Sequence, residues 1–191
     1  MKHFLSYVED AIKQNWSKPA ITNYGASSYT FGEIAEGVAK WHIFFKECNI
    51  NKGDHIAICS RNSAEWCMAF LAITTYGAVS VPLLADFLPD DIARLTRASD
   101  SKLLLVDSST LSGFKRSGIT QVADGGSFVG VVDIVNRYTI GDYDYSVNVD
   151  SSRVEELFSK KFQNGYSAKD LDFNIGGLDD LVVISYTSGT S

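Results

Sequence analysis

Residues 55–84 read HIAICSRNSAEWCMAFLAITTYGAVSVPLL, and this stretch decides the fold. His55 to Cys59 is a short apolar run of strand length. Asn62 or Ser63 then offers a cap to a helix carrying Trp66, Met68, Phe70, Leu71 and Ile73. Gly77 suits the left-handed position just past a helix end, because it has no Cβ to clash there. Ala78 to Leu84 is a second apolar run, closed by the turn residues between Pro82 and Pro89. Strand, helix and strand within about 30 residues is the pattern of a parallel crossover unit. The expected fold class is α/β: a largely parallel sheet flanked by helices.

Upstream, Phe4, Tyr7, Val8, Ala11 and Ile12 recur at helical spacing and predict an amphipathic helix that ends by Pro19. Ala20 to Tyr24 and Ser28 to Phe31 flank Gly25, Ala26 and Ser27, which predicts a small N-terminal hairpin. Thr30 and Glu33 form a capping-box pair. Ile34, Val38, Trp41 and Phe45 then mark one face of a helix running to about Cys48. Asn51 to Asp54 makes a turn.

Downstream, Pro89, Asp90 and Asp91 open another helix, with Pro tolerated in the first turn and carboxylates favoured near its positive end. Lys102 to Asp107 reads as a third buried strand. After Ser108 the periodicity weakens. Gln121 to Ala123 and Phe128 to Val135 read as strands around Gly125 and Gly126, and Val154 to Phe162 reads as a helix. The polar stretch 166–177 is the best linker candidate. Leu181 to Tyr186 reads as a last buried strand. Tyr138, Tyr143 and Tyr145 receive no role.

The composition sets limits on function. A chain of 191 residues with 45% hydrophobic side chains is globular in type. Its formal net charge of −6 argues against a general nucleic-acid binder, which needs clustered Lys and Arg. Cys48, Cys59 and Cys67 form no C-x-x-C pair, so neither a disulfide framework nor a zinc site is expected. A reduced, cytoplasmic setting fits best. Lys2, Glu9 and Asp10 interrupt any leader-like apolar stretch, and no run approaches the ~20 apolar residues of a membrane span. Peripheral membrane contact stays open. His42 and His55 lack a second ligand at metal-like spacing and read as structural, so no metal site is expected. Asp90 with Asp91, and Asp179 with Asp180, read as cap and turn residues. No catalytic residue is identified.

The chain ends LVVISYTSGTS, residues 181–191. Four hydroxyl side chains and one Gly cluster just past the carboxyl end of a predicted strand, where open α/β sheets bind ligands. Gly lets backbone N–H groups converge on an anion, and Thr and Ser add neutral donors. Thr187, Ser188, Gly189, Thr190 and Ser191 are therefore candidate phosphate-binding residues. Composition alone leaves a small polar turn as the alternative. The stretch lacks the spaced Gly-Lys pattern of a P-loop. A Ser hydrolase using Ser188 is disfavoured, because G-x-S-x-G is absent and His3, His42 and His55 all lie upstream. No G-x-G-x-x-G follows a strand, which disfavours a dinucleotide-binding enzyme.

Tyr186 to Ser191 resembles the opening of the phosphate loop of the adenylate-forming (AMP-binding) superfamily. Three further segments match in the same order: Ser28 to Ile34, Lys52 to Ile58, and Asn62 to Leu83. Ser191 stands where the family more often has Thr, and the family's continuation through a further Gly and Pro-Lys-Gly is not in the sequence. The resemblance covers Ser28 to Asp107 well and 108–177 poorly. It implies an incomplete N-terminal subdomain, residues 1–191, of the larger N-terminal domain of an acyl-CoA synthetase, ending inside the ATP phosphate loop. The activity implied for the full-length enzyme is ATP-dependent ligation of a carboxylate to coenzyme A, with Mg²⁺. The short N-terminal lead and the Trp- and Phe-rich first helices look most like long-chain fatty-acyl-CoA ligases. Aryl or amino acids as substrates, or a non-catalytic interaction module that keeps the fold, are the alternatives. The 191-residue chain alone is expected to have no ligase activity, to bind no cofactor tightly, and to favour self-association through exposed apolar surface.

Overall fold

The computed structural model describes residues 2–26, 28–123, 127–144 and 149–186. Helix α1 (Phe4–Gln14) opens the chain, and strands β1 (Pro19–Thr22) and β2 (Ser28–Thr30) pair antiparallel as the expected hairpin. Ser27 of its turn lies outside the described residues. The capping box is present at the start of α2 (Phe31–Glu47): Glu33 N–H donates to Thr30 Oγ1 at 3.2 Å, and Thr30 N–H donates to the Glu33 carboxylate at 2.7 Å. This reciprocal cap satisfies two amides that the helix leaves unpaired and fixes the angle at which α2 leaves the hairpin.

The crossover unit follows as β3 (His55–Cys59), α3 (Ala64–Tyr76) and β4 (Val79–Leu83). Ser63 caps α3, and Gly77 takes φ +89° beyond its end. Next come α4 (Pro89–Ala98), β5 (Ser101–Val106), α5 (Ser108–Arg116), β6 (Gly130–Asp133), β7 (Tyr138–Asp144) and α6 (Ser151–Lys161). The sheet order is β4-β3-β5-β6-β7, parallel throughout except for the β6–β7 pair.

Side chains alternate across this sheet, and both faces are covered, as parallel sheets require. Ile56, Ile58, Leu103, Leu105 and Val132 pack with α2 and α3, where Trp41, Phe44 and Phe45 are fully buried. Ala57, Cys59, Val81, Leu104, Val106 and Val131 pack on the other face with Ile92 of α4 and Phe114 of α5. Trp41 and Phe45 stack with centroids 5.5 Å apart, and Phe44 meets Trp41 edge-on at 5.4 Å. Each such side chain contributes about 1.5–3 kcal/mol by leaving water. Trp41, Phe44 and Phe45, among the aromatics that made the first helices look fatty-acyl-like, are therefore core residues packed on the sheet, whereas Phe4 of α1 is exposed.

Four expectations need correction. Gln121 to Ala123 forms no strand; Val122 and Ala123 are buried, but in a bend whose Val122 carbonyl accepts from Arg97 at 2.7 Å. Residues 108–116 and 138–144 form a helix and a strand that the periodicity did not reveal. The stretch 166–177 is irregular, yet it is no free linker: Leu171 and Phe173 are buried in the core, and Asn174 N–H donates to Thr75 O at 3.0 Å. Finally, Leu181 to Tyr186 is not a buried strand. It makes a single parallel bridge, Val183 to Ser80, on the outer edge of β4, with Leu181 58% and Val183 38% exposed. Gly125, Gly126 and Tyr145 lie outside the described residues. Among the described residues no helix is long and apolar enough to cross a membrane.

Ser80 is fully buried, and its Oγ has no hydrogen-bond partner among the described residues. An orphaned buried hydroxyl costs about 1–3 kcal/mol. Ser80→Ala is accordingly expected to leave urea-unfolding stability unchanged or to raise it by about 1 kcal/mol. A clear loss of stability would show that the hydroxyl has a partner.

Candidate functional site

The parallel strands β3 and β4 and the segment 181–186 all end on one side of the sheet. Register sets how they line up. Cys59 lies opposite Leu83, and Ser80 lies opposite Val183. Counting three residues on from Ser80 and Val183 brings Leu83 level with Tyr186, so Cys59, Leu83 and Tyr186 share one level.

The chain reaches this edge along a tethered path. Asn174 Nδ2 donates to Tyr76 O at 3.2 Å, anchoring the strap that precedes the segment. Gly177 N–H donates to Asp180 Oδ2 at 3.1 Å, and Lys52 pairs with the same carboxylate at 3.0 Å. Those two donors hold Asp180 below the ordinary carboxylate range, in keeping with its reading as a turn residue. Ser80 N–H then donates to Val182 O and Ile184 N–H to Ser80 O, each at 2.9 Å.

Beyond the strand ends a cleft of about 500 Å³ opens, lined by Ser60, Arg61, Asn62, Trp66, Pro82, Leu83, Asp86, Ser185 and Tyr186 among others. That volume is in the range of small-molecule sites. Asp107, just past the end of β5, organises one wall. Its Oδ1 caps α5 by accepting from Thr110 N–H at 2.8 Å. Its Oδ2 accepts from Arg61 N–H at 3.0 Å and Ser60 Oγ at 3.3 Å. Burial pushes the Asp107 pKa up, but the donors from Thr110, Arg61 and Ser60 outweigh it and hold the group below its ordinary 3.8. On the floor, Trp66 stacks on Phe70 with centroids 5.4 Å apart.

Proton-transfer and nucleophilic roles find little support here. Burial pushes the Cys59 thiol up to about 12, so it stays protonated. Among the described residues no three His, Cys, Asp or Glu side chains converge as metal ligands. The cleft offers instead a cation at Arg61, hydroxyls at Ser185 and Tyr186, and flat apolar walls, which together suit binding and positioning of an anion.

A larger cavity, about 650 Å³, lies at the opposite, amino edge of the sheet around His42, Lys46, Tyr76 and Lys161. His42 Nε2 contacts Ala72 O at 3.1 Å and Thr75 Oγ1 at 3.0 Å, and burial lowers its pKa to about 4. It is a neutral structural histidine, as expected. Lys46 and Lys161 sit in the last turns of α2 and α6, where cations offset the negative helix ends.

A profile of AMP-binding enzymes matches residues 8–191. The chain belongs to the AMP-binding enzyme family. A 4-coumarate–CoA ligase of Humulus lupulus is 25% identical over 190 residues, 97% of this chain and 31% of that protein. Surfactin synthase subunit 2 of Bacillus subtilis is 28% identical over 97 residues, 51% of this chain and 3% of that protein. The fold is similar to the N-terminal domain of FACL13 from Mycobacterium tuberculosis, with a TM-score of 0.69 at 20% identity, covering all of this chain and 42% of that one. This AMP-binding chain thus spans less than half the length of each of these proteins.

Of the phosphate-binding candidates, Thr187, Ser188, Gly189, Thr190 and Ser191 all lie outside the described residues. The structure brings the two residues just before them, Ser185 and Tyr186, to the cleft. Sequence reasoning missed Arg61, Asp86 and Asp107. The signal was present: Arg61 and Asp86 follow, and Asp107 closes, strands that the apolar runs had already located.

Asp107→Asn keeps an acceptor for the α5 cap but turns an amide N–H toward the Arg61 and Ser60 donors. Since the folded pKa is depressed, Asp107 contributes stability that is fully present above pH 3.8 and is lost as pH falls through the lower folded value. The Asn variant is expected to be less stable at pH 7 and to show a shallower loss between pH 5 and pH 2, read by thermal melts across about that range. Parallel melting curves for the two proteins over that range would refute the assignment.

Proposed function

We propose that the whole protein is an ATP-dependent ligase that activates a carboxylic acid as its adenylate and passes the acyl group to a thiol, that of coenzyme A. The observation that carries this reading is the attachment of 181–186 to β4, which brings Ser185 and Tyr186, the residues just before Thr187 in the sequence, to the carboxyl-edge cleft. Membership of the AMP-binding family supports it.

In the first half-reaction a substrate carboxylate oxygen attacks the α-phosphorus of ATP. The bond to the bridging oxygen breaks, and pyrophosphate leaves with the electron pair. In the second, a thiol replaces AMP on the acyl carbon. Negative charge accumulates on the phosphates in the first step, so donors already fixed in place lower its barrier. Thr187, Ser188, Gly189, Thr190 and Ser191 would hold the β- and γ-phosphates, and none serves as a nucleophile. Mg²⁺ would add charge neutralisation on those oxygens. No described residue is assigned to it, because no three carboxylate, imidazole or thiolate groups converge.

For the substrate we favour a long-chain fatty acid, on the short N-terminal lead and the Trp- and Phe-rich first helices. The 4-coumarate–CoA ligase and the surfactin synthase subunit support aryl or amino acids as the second reading. A cytoplasmic setting fits the buried, protonated Cys59 thiol. Leu178, Leu181 and Val183 are exposed on successive parts of the 181–186 approach, and they support self-association of the isolated chain.

With ATP, Mg²⁺, coenzyme A and a panel of carboxylic acids, the 191-residue chain alone is expected to release no pyrophosphate. The whole protein should catalyse carboxylate-dependent exchange of pyrophosphate into ATP. Ser188→Ala and Thr190→Ala should each slow that exchange roughly 10- to 100-fold, the worth of a hydroxyl donor on a charged group. Exchange that is absent from the whole protein, or unaffected by both changes, would overturn the reading.

A further inference from the structure

A pocket of about 350 Å³ lies apart from the carboxyl-edge cleft and shares no lining residue with it. Its walls include Glu36 and Lys40 of α2, Met68 of α3, and Ile134 and Arg137 beside the β6–β7 turn. Arg137 is the anomaly. Arg61, Arg94, Arg97, Arg116 and Arg153 are all exposed, whereas the Arg137 side chain is only 20% exposed. Its guanidinium makes no hydrogen bond with any described residue, and its ion pair with Glu155 is loose, at 3.7 Å. Lys40 takes the nearby carboxylates instead, Glu36 at 2.9 Å and Glu155 at 2.8 Å. Burial pulls the Arg137 pKa down, against the charges of Glu155 and Glu36, which push it up. A largely desolvated guanidinium with its donors unmet is costly to keep.

The backbone gives no reason for an arginine at this place. Arg137 takes φ +55°, a left-handed conformation that favours Gly or Asn. The turn is specified by Asp133, whose Oδ1 accepts from Val135 N–H at 3.0 Å and Asn136 N–H at 2.7 Å, and whose carbonyl accepts from Arg137 N–H at 2.9 Å. A long cationic side chain is thus carried at a strained position and turned into a pocket that holds no acceptor for it.

The surroundings select the ligand. Glu33, Glu36 and Glu65 line the pocket against two cations, Lys40 and Arg137, so a simple anion meets net negative charge. A simple cation meets the open guanidinium. A molecule with both signs satisfies both. Glu36 is close enough to raise the Arg137 pKa, yet no ion pair joins them, so a gap separates the two charges. Lys40 engages Oε1 of Glu36 and leaves Oε2 without a partner among the described residues. The adjacent carboxylate and ammonium of an α-amino acid bridge a gap of this kind. The carboxylate matches the planar fork of a guanidinium, and the ammonium matches a carboxylate oxygen. Met68 and Ile134 offer an apolar wall to the side chain.

We propose that this pocket binds a free α-amino acid with an apolar side chain, its carboxylate on Arg137 and its ammonium on Glu36. The site is separate from the carboxyl-edge cleft, and the proposal stands or falls independently of the reading of that cleft.

L-Leucine is the probe, titrated into the 191-residue chain labelled with ¹³C at its methionine methyl groups. The chain has two methionines, so the Met68 signal is assigned by its loss in Met68→Leu. L-Leucine should shift that signal saturably. 4-Methylpentanoate, which lacks the ammonium, and 3-methylbutylamine, which lacks the carboxylate, should each bind roughly tenfold or more weakly. Arg137→Gly should weaken L-leucine binding by roughly the same factor without lowering the melting temperature, because Gly takes the left-handed place freely. Arg137→Lys should fall between, as a point charge without the fork. Absence of a saturable Met68 shift in the unchanged chain overturns the proposal, as does unchanged affinity in Arg137→Gly. The analogues need no variant: 4-methylpentanoate binding as tightly as L-leucine overturns it whatever the variants do, since the site would then hold a plain anion.

Discussion

Two backbone hydrogen bonds, Ser80 N–H to Val182 O and Ile184 N–H to Ser80 O, hold the end of the described chain against the sheet. The rest of the site depends on them. They make 181–186 a parallel neighbour of β4, and parallel neighbours end on the same side. Without this pairing Ser185 and Tyr186 would not reach the cleft. The bridge is short and partly exposed, so it relies on the approach to it. Phe173 buried in the core, Asn174 bonded to the end of α3, and Asp180 held by Lys52 and Gly177 deliver the chain already in register.

The cleft that results is built for binding. Its thiol is buried and protonated, and its carboxylate at Asp107 is committed to backbone donors and an N-cap. Neither is free to act as an acid or base. What is free is charge and polarity at the rim: Arg61, Asp86 and two hydroxyls. Activation of a carboxylate by ATP makes that demand, since the reacting groups come from the substrates and the protein supplies orientation and charge stabilisation.

The crossover unit was legible because its signals agree: a cap at Ser63, Gly77 at a positive φ, and apolar runs on either side. Helix α5 was not, because only Thr110 and Phe114 of its nine residues are buried and Gly113 interrupts it. Strand β7 was hidden by Gly141 and by polar residues that an antiparallel edge tolerates. At Gln121 to Ala123 an apolar pair signalled burial, which was mistaken for a strand. Leu181 to Ile184 misled in the opposite sense: four apolar residues imply two covered faces and two paired edges, whereas the segment has one bridge and exposed side chains. Arg61 and Asp107 escaped because their roles come from strands brought together in space, although the two lie 46 positions apart in the chain.

Amide hydrogen exchange at Ser80 and Ile184 tests this account most directly. The pairing predicts slow exchange at both, with protection close to that of the β3–β4 ladder. Exchange of Ile184 at the rate of an unstructured peptide, beside a protected β3, would contradict it.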